Sequence, residues 1–126
     1  PTVFLVLFFS GCELFQPEPD LKDIVSEMNA RCPVMVDSET RLEAISVEEP
    51  SGLSYHYSLV NVDAARVDTH QFRLAMWPGL LSTIRLSPEM ENLRNEEITI
   101  KYYYNDRNNK PISVFEFNPE HYREQQ

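Results

Sequence analysis

Basic residues and glycine are scarce in this sequence, and each scarcity excludes a class of function. Eleven Lys and Arg residues stand against twenty Asp and Glu residues, which gives a formal net charge of -9 at pH 7. Nucleic-acid binding requires a cationic surface that displaces counterions from phosphates, so we expect no nucleic-acid partner. Unaided adsorption to anionic lipid is disfavoured for the same reason. The three glycines are too few for a glycine-rich loop that cradles a phosphate.

Cysteine and histidine are equally rare, and they form no familiar site. Cys12 and Cys32 match neither a zinc-ligand spacing nor a C-x-x-C redox pair. His56, His70 and His121 include no pair at metal-binding spacing, and HExxH is absent. Neighbouring acids are plentiful, but a glycosidase needs two carboxylates at a set spatial separation, which a sequence does not reveal. We therefore expect no catalytic residues, no metal site, no cofactor and no enzymatic activity.

The first twelve residues contain the most specific pattern in the chain. Val3–Phe9 reads VFLVLFF, an apolar run much shorter than the about 20 residues that span a bilayer as a helix. It has the length of the hydrophobic region of a secretory signal, and the small residues Ser10 and Gly11 follow it. Phe9-Ser10-Gly11-Cys12 resembles the lipobox of bacterial lipoproteins. This resemblance implies a diacylglyceryl group on the Cys12 thiol, cleavage just before Cys12, and acylation of the new amino terminus by a fatty acid such as palmitate.

Two features depart from the lipoprotein pattern. The sequence starts at Pro1 without an initiator Met or a basic segment, so we expect it to begin inside the signal. Phe9 stands where Leu is usual. The alternative is a buried amino-terminal strand, because a short apolar run also fits that structure. We favour the lipoprotein, since the acidic, proline-rich spacer Gln16–Pro19 follows directly instead of a hairpin turn.

A lipid on Cys12 would determine where the protein works. Two or three acyl chains hold even an acidic domain at a membrane durably, whereas one chain holds it marginally. Cys32 is then left without a partner. If the anchor is absent, a Cys12–Cys32 disulfide in an oxidising compartment is the alternative. We divide the chain into a signal remnant (1–11), a lipidated cysteine with its tether (12–19), one domain (20–118) and a frayed tail (119–126), and we expect the bacterial cell envelope as its location.

The rest of the chain alternates between helical and strand patterns. Asp20 is a suitable N-cap for a helix that ends near Arg31, with an apolar stripe from Leu21 to Cys32. Further patterns predict strands over 34–37, 41–48, 53–59, 98–104 and 112–117, a helix from Asp68 that Pro78-Gly79 kinks or splits, and a short helix over 87–95. Short polar turns join neighbouring strands. The expected fold is therefore a two-layer α+β domain, with a mainly antiparallel sheet of four to five strands and helices packed on one face.

Scattered residues of this domain also suggest a wider relationship. They are Asn29, Pro33, Val36-Asp37, Thr40-Arg41-Leu42, Tyr55-His56-Tyr57 and Tyr102-Tyr103-Tyr104-Asn105-Asp106. In these positions the domain is similar to small bacterial secreted or envelope proteins of unassigned function. The resemblance implies no catalytic residue.

Consecutive tyrosines provide a candidate surface for a partner. If Tyr102 and Tyr104 face the core, Tyr103 faces outward next to Lys101, because side chains alternate along a strand. His56 lies on the polar side of another predicted strand. An exposed tyrosine can anchor a protein partner, although it can equally pack over a strand neighbour. We treat Tyr103, Lys101 and His56 as candidate partner-binding residues.

These observations favour a membrane-anchored envelope lipoprotein that acts as a non-catalytic, protein-binding accessory subunit of a larger assembly. Two alternatives stay open. One is a periplasmic small-molecule binder or enzyme with a pocket near Trp77, where Pro78-Gly79 would bend the helix. The other is an inhibitor or immunity-like protein that blocks a secreted enzyme through its acidic surface.

Overall fold

A five-stranded sheet organises residues 20–123, the part of the chain that the computed structural model describes. In spatial order the strands are β1 (Val34–Met35), β2 (Thr40–Glu48), β3 (Gly52–Leu59), β4 (Thr99–Asn105) and β5 (Pro111–Phe117). Neighbouring strands are antiparallel except β3 and β4, which run parallel. A parallel pair requires a long crossover, and the helical segments between β3 and β4 supply it.

Helices form the second layer. They are α1 (Leu21–Asn29), α2 (Thr69–Leu86), α3 (Glu91–Asn95) and α4 (Pro119–Tyr122), with 3-10 turns at Ala64–Arg66 and Pro88–Met90. The apolar side chains of the sheet pack with these helices in one core. The predicted two-layer α+β fold, with a mainly antiparallel sheet and helices on one face, is confirmed.

Side-chain alternation separates the two faces of the sheet. In β4, Ile100, Tyr102 and Tyr104 are buried against the helices, whereas Lys101 and Tyr103 point to the opposite side and are half-buried. This is the orientation that the strand period of two predicts. The core face is therefore aromatic and aliphatic, and the opposite face is polar.

A single asparagine ties α1 to the sheet. The Asn29 side chain donates to the Ile45 carbonyl and accepts from the Ile45 N–H, both at 2.8 Å. β1 pairs with β2 only as far as Leu42, and a bulge follows between Leu42 and Ala44. The amide thus takes the place of a strand neighbour that β1 is too short to provide. The bond matters for α1, because that helix contains no fully buried residue.

Pro78-Gly79 was predicted to kink or split α2, and the split does not occur, because the helix runs continuously over Thr69–Leu86. Proline removes one helical N–H donor, so the Leu74 carbonyl loses its partner. Leu74 is 58% exposed, and Pro78 and Gly79 also face solvent. Water can hydrogen-bond to that carbonyl, which reduces the cost of the interruption.

The expectation of a frayed tail from residue 119 was also wrong for its first residues, which form α4. The Asn118 side chain accepts the His121 N–H, and His121 Nδ1 accepts the Asn118 N–H at 3.0 Å. Tyr122 is buried, and its hydroxyl donates to the Ile98 carbonyl at 2.7 Å. This hydrogen bond and the aromatic burial hold the segment against Ile98, the residue just before β4.

The loop between β4 and β5 is organised by a buried carboxylate. Asp106 is 1% exposed and accepts the backbone N–H groups of Ala64, Asn108 and Lys110, each at 2.8 Å. The backbone donors, Ala64 foremost, hold the pKa of Asp106 below its ordinary value. Asp106 therefore closes the hairpin and fixes the start of the crossover to α2.

The signal remnant and tether predicted over 1–19, with Cys12, lie outside the described residues. Asp20 precedes α1 as predicted, but its side chain makes no capping hydrogen bond. Within residues 20–123, no helix is both long and apolar enough to cross a membrane.

Candidate functional site

The helical layer leaves a groove open over the middle of the sheet. α1 forms one wall with Ile24 and Met28, and the other is formed by Met90, in the turn before α3, and by Leu93 in α3. The groove has a volume of about 610 Å³. This lies within the range of about 300–1,000 Å³ that ligand sites occupy.

Tyrosines from the two central strands form the floor. The parallel register places Tyr55 opposite Tyr102, with ring centroids 5.2 Å apart, and Tyr57 lies 6.0 Å from Tyr102. Burial raises the pKa of Tyr55 to about 12 and raises the pKa of Tyr57 and Tyr102 further. All three rings therefore stay neutral at physiological pH. Tyr55 and Tyr102 are only 7% and 2% exposed, so the accessible apolar surface of the groove comes mainly from the half-buried side chains of Tyr57, Ile24 and Met28.

A smaller groove of about 380 Å³ adjoins the first. The two share Ile24, Asn92 and Leu93, and the second extends to Asp20 at the start of α1. We call the two together the α1–α3 groove. One of its ends therefore lies at Asp20, the first residue that the structure describes.

The three residues predicted to bind a partner lie together on the opposite, polar face of the sheet. The rings of His56 and Tyr103 stack with centroids 4.8 Å apart. The Tyr103 hydroxyl donates to a carboxylate oxygen of Glu48 at 3.3 Å, and Lys101 Nζ lies 3.1 Å from the same carboxylate. We call these four residues the Glu48 network.

The polar groups of the Glu48 network have hydrogen-bond or ion-pair partners within the protein. Glu48 also accepts the Ser54 hydroxyl, and this hydrogen bond, together with Lys101, lowers the pKa of Glu48. Glu48 in turn raises the pKa of Lys101. Ser46 Oγ lies 3.1 Å from His56 Nε2. The network stabilises the polar face, and its partner-binding role stays a prediction.

One alternative placed a pocket near Trp77, where the structure shows aromatic packing. Trp77 packs against Phe117 with centroids 4.4 Å apart, and its ring meets His121 edge-on at 5.5 Å. It lines neither part of the α1–α3 groove. The indole instead fills the space between α2, β5 and α4, so its role is in packing.

Sequence reasoning did not find the α1–α3 groove. The apolar stripe of α1 is visible, but the sequence does not show that Ile24 borders an open groove while Val25 packs against the core. The acids Asp23 and Glu27 beside the stripe were a usable signal. Within residues 20–123, no group of three or more His, Cys, Asp or Glu side chains is placed to hold a metal ion.

Three solved structures share this fold. A presumed secreted protein from Pseudomonas aeruginosa has a TM-score of 0.68 at 16% identity, over 82% of this chain and 89% of that chain. The pilotin EpsS from the Vibrio vulnificus type 2 secretion system has a TM-score of 0.61 at 12% identity, over 81% and 87%. The type II secretion system pilotin AspS from Vibrio cholerae has a TM-score of 0.58 at 8% identity, over 78% and 84%.

Sequence comparison points to one family. No curated protein matches the chain. Residues 17–114, most of the 126-residue sequence, match one family model. The chain therefore belongs to the family described as Domain of unknown function (DUF8479).

Proposed function

We propose that this protein is a non-catalytic accessory protein of the bacterial cell envelope that binds a segment of another envelope protein in the α1–α3 groove. The open groove with its tyrosine floor is the observation that carries the proposal. The shared fold with two pilotins of type II secretion systems supports it by analogy, and suggests a secretion-type envelope assembly as the partner.

The groove favours a helical segment. An extended segment needs backbone hydrogen bonds from its binding site, but the backbone groups of β3 and β4 beneath the groove are used within the sheet. The wall helix α1 uses its own backbone groups in the same way. A helix satisfies its backbone internally and can lay an apolar face on Tyr57, Ile24 and Met28, as in other helix-in-groove complexes.

Lipidation of Cys12 is the second part of the proposal. A tether over 12–19 reaches at most about 30 Å when fully extended, so the domain would stay near the bilayer. The α1–α3 groove extends to Asp20, where the tether ends, which would bring a bound segment close to the membrane. Metabolic labelling with palmitate should label the wild-type chain and not Cys12→Ala. An unlabelled wild type, or label on both, would refute the anchor.

Photocrosslinking in the bacterium that encodes the protein tests the groove. Asn92 lines the groove, whereas Asn95 is exposed on the same helix and does not. A photoreactive residue at position 92 should give one discrete adduct with an envelope protein, and the same residue at position 95 should not. Ile24→Gln should abolish the adduct. The matched change Leu74→Gln, on an exposed leucine outside the groove, should leave it intact.

An adduct at both positions, or an adduct that Ile24→Gln does not reduce, would show that the groove is not the binding site.

The candidate residues Tyr103, Lys101 and His56 form a separate surface on the polar face. We propose them as a second contact, which Tyr103→Phe tests because it deletes only the hydroxyl. If the partner contacts this surface, Tyr103→Phe should lower the yield of the position-92 adduct while the variant stays folded. An unchanged yield would refute the second contact.

A further inference from the structure

The α1–α3 groove concentrates negative charge beyond what the composition predicts. Five carboxylates line it, and the guanidinium of Arg31 is the one basic group among its lining residues. The whole chain has twenty acidic and eleven basic residues, a ratio of less than two to one. The carboxylates belong to Asp20, Asp23, Glu27, Glu89 and Glu96.

These carboxylates lie on both sides of the groove and at one end. Asp23 and Glu27 are on the α1 wall, and Glu89 is on the opposite wall in the turn before α3. Asp20 and Glu96 lie at the end next to the tether. A helix in the groove would therefore meet negative charge along both flanks.

Among the acids at the groove, only Glu27 has an ion-pair partner within residues 20–123. Many acids elsewhere in this part of the chain, such as Glu39 and Glu49, form no ion pair either, so the groove differs in how many carboxylates it gathers rather than in their pairing. Away from the groove, close pairs join Arg41 to Glu43 at 2.7 Å, Lys101 to Glu48 at 3.1 Å, and Arg123 to Glu97 at 2.7 Å. At the groove, Arg31 lies 3.4 Å from Glu27, with side chains 69% and 78% exposed. Such an exposed pair is weak. No ion pair involves Asp23 or Glu89 within this part of the chain.

The negative charge also reaches the floor. Besides burial, the charge of Glu89 contributes to the raised pKa of Tyr55. The Glu89 carboxylate is therefore close enough to affect the surface on which a partner would lie. Basic groups on the partner would neutralise it, whereas acidic groups would be repelled.

We propose that the α1–α3 groove selects a cationic partner, an amphipathic helix with Lys or Arg on both flanks of its apolar face. This inference rests on the proposed function, since it names the chemistry of the segment in the same groove. Tyr57, Ile24 and Met28 supply apolar contact area, and the acidic walls supply charge selection. The acidic walls also disfavour binding of the chain's own tether in the groove, because Glu13 and Glu18 of the tether carry the same negative charge.

Three synthetic peptides test the charge selection against the intact chain in non-ionic detergent. They share a leucine face and carry lysine, glutamine or glutamate on both flanks. Fluorescence anisotropy should show that the lysine peptide binds about tenfold more tightly than the glutamine peptide at low salt, the scale expected from three exposed pairs. The preference should decline as salt is raised.

Two triple variants separate the groove from the overall charge. Asp23→Asn/Glu27→Gln/Glu89→Gln should abolish the lysine preference. Glu39→Gln/Glu49→Gln/Glu120→Gln removes the same charge from exposed positions outside the groove and should retain the preference. Equal loss in both variants would overturn the inference, because it would reveal non-specific attraction to an acidic protein.

Further outcomes distinguish this inference from the proposed function. If all three peptides bind equally and Ile24→Gln weakens each, the charge selection is wrong and the groove remains a binding site. If a proline-interrupted lysine peptide binds as well as the helical one, selection of a cationic helix is overturned. If no peptide binds, the inference fails, while the position-92 crosslink tests the proposed function independently.

Discussion

Replacing Asn29 by alanine should loosen the α1 wall of the groove. The Asn29 side chain makes two hydrogen bonds of 2.8 Å to the backbone of Ile45, beyond the point where β1 stops pairing with β2. α1 otherwise rests on partly buried side chains. The variant therefore removes the polar link between this helix and the sheet, and leaves one N–H and one C=O group without a partner.

The cost follows from these two groups. An unsatisfied buried backbone group costs about 1–3 kcal/mol, and the lower end applies because the site is only partly buried. Alanine recovers roughly 0.5 kcal/mol through its higher helix propensity. The free energy of unfolding should therefore fall by about 1.5 kcal/mol, a substantial part of the about 5–15 kcal/mol that stabilises a typical domain.

Urea denaturation measures this loss, and Asn95→Ala is its control. Asn95 is likewise the last residue of a helix, but it is exposed and its side chain forms no hydrogen bond found among residues 20–123. The Asn29→Ala midpoint should fall by roughly 1 M urea, with little change for Asn95→Ala. Hydrogen exchange should accelerate first in α1. Equal stability of the two variants would refute the proposed link.

Three further changes test other parts of the structure. Tyr122→Phe removes the hydroxyl that bonds to Ile98 and should lower stability by about 1 kcal/mol, measured by denaturation; no loss would mean that α4 is not held there. Backbone donors lower the pKa of Asp106 in the folded protein, so its contribution to stability is complete above about pH 4 and declines as the pH falls through that lowered pKa. Asp106→Asn should therefore reduce the dependence of the melting temperature on pH in the acid range. Glu48→Gln should reduce stability at pH 7, with a difference from wild type that shrinks in acid because the pKa of Glu48 is also lowered; a constant difference would contradict the charge interaction with Lys101.

Local patterns were sufficient to predict most elements of the fold. Alternation in β3 and β4 placed Tyr102 and Tyr104 in the core and Tyr103 outside, because neighbouring side chains on a strand must point to opposite faces. The same rule brought Lys101 and Tyr103 to one face. The parallel pairing of β3 with β4 then put His56 beside them, which alternation alone does not specify.

Several features depended on contacts between distant residues. The continuity of α2 through Pro78 depends on an exposed carbonyl at Leu74, and α4 depends on the distant Ile98 carbonyl. The local spacing of residues does not indicate that the Leu74 carbonyl is exposed, or that Tyr122 forms a hydrogen bond to a residue 24 positions away.

The sequence by itself determined the negative charge, the alternating strands and the apolar stripe of α1, because these depend on residue type and spacing along one element. The tertiary structure decided that a groove stays open between α1 and α3 above the tyrosines, and that Asp23 and Glu89 both line it. A groove is the space between elements distant in the chain, so its existence depends on how those elements pack together.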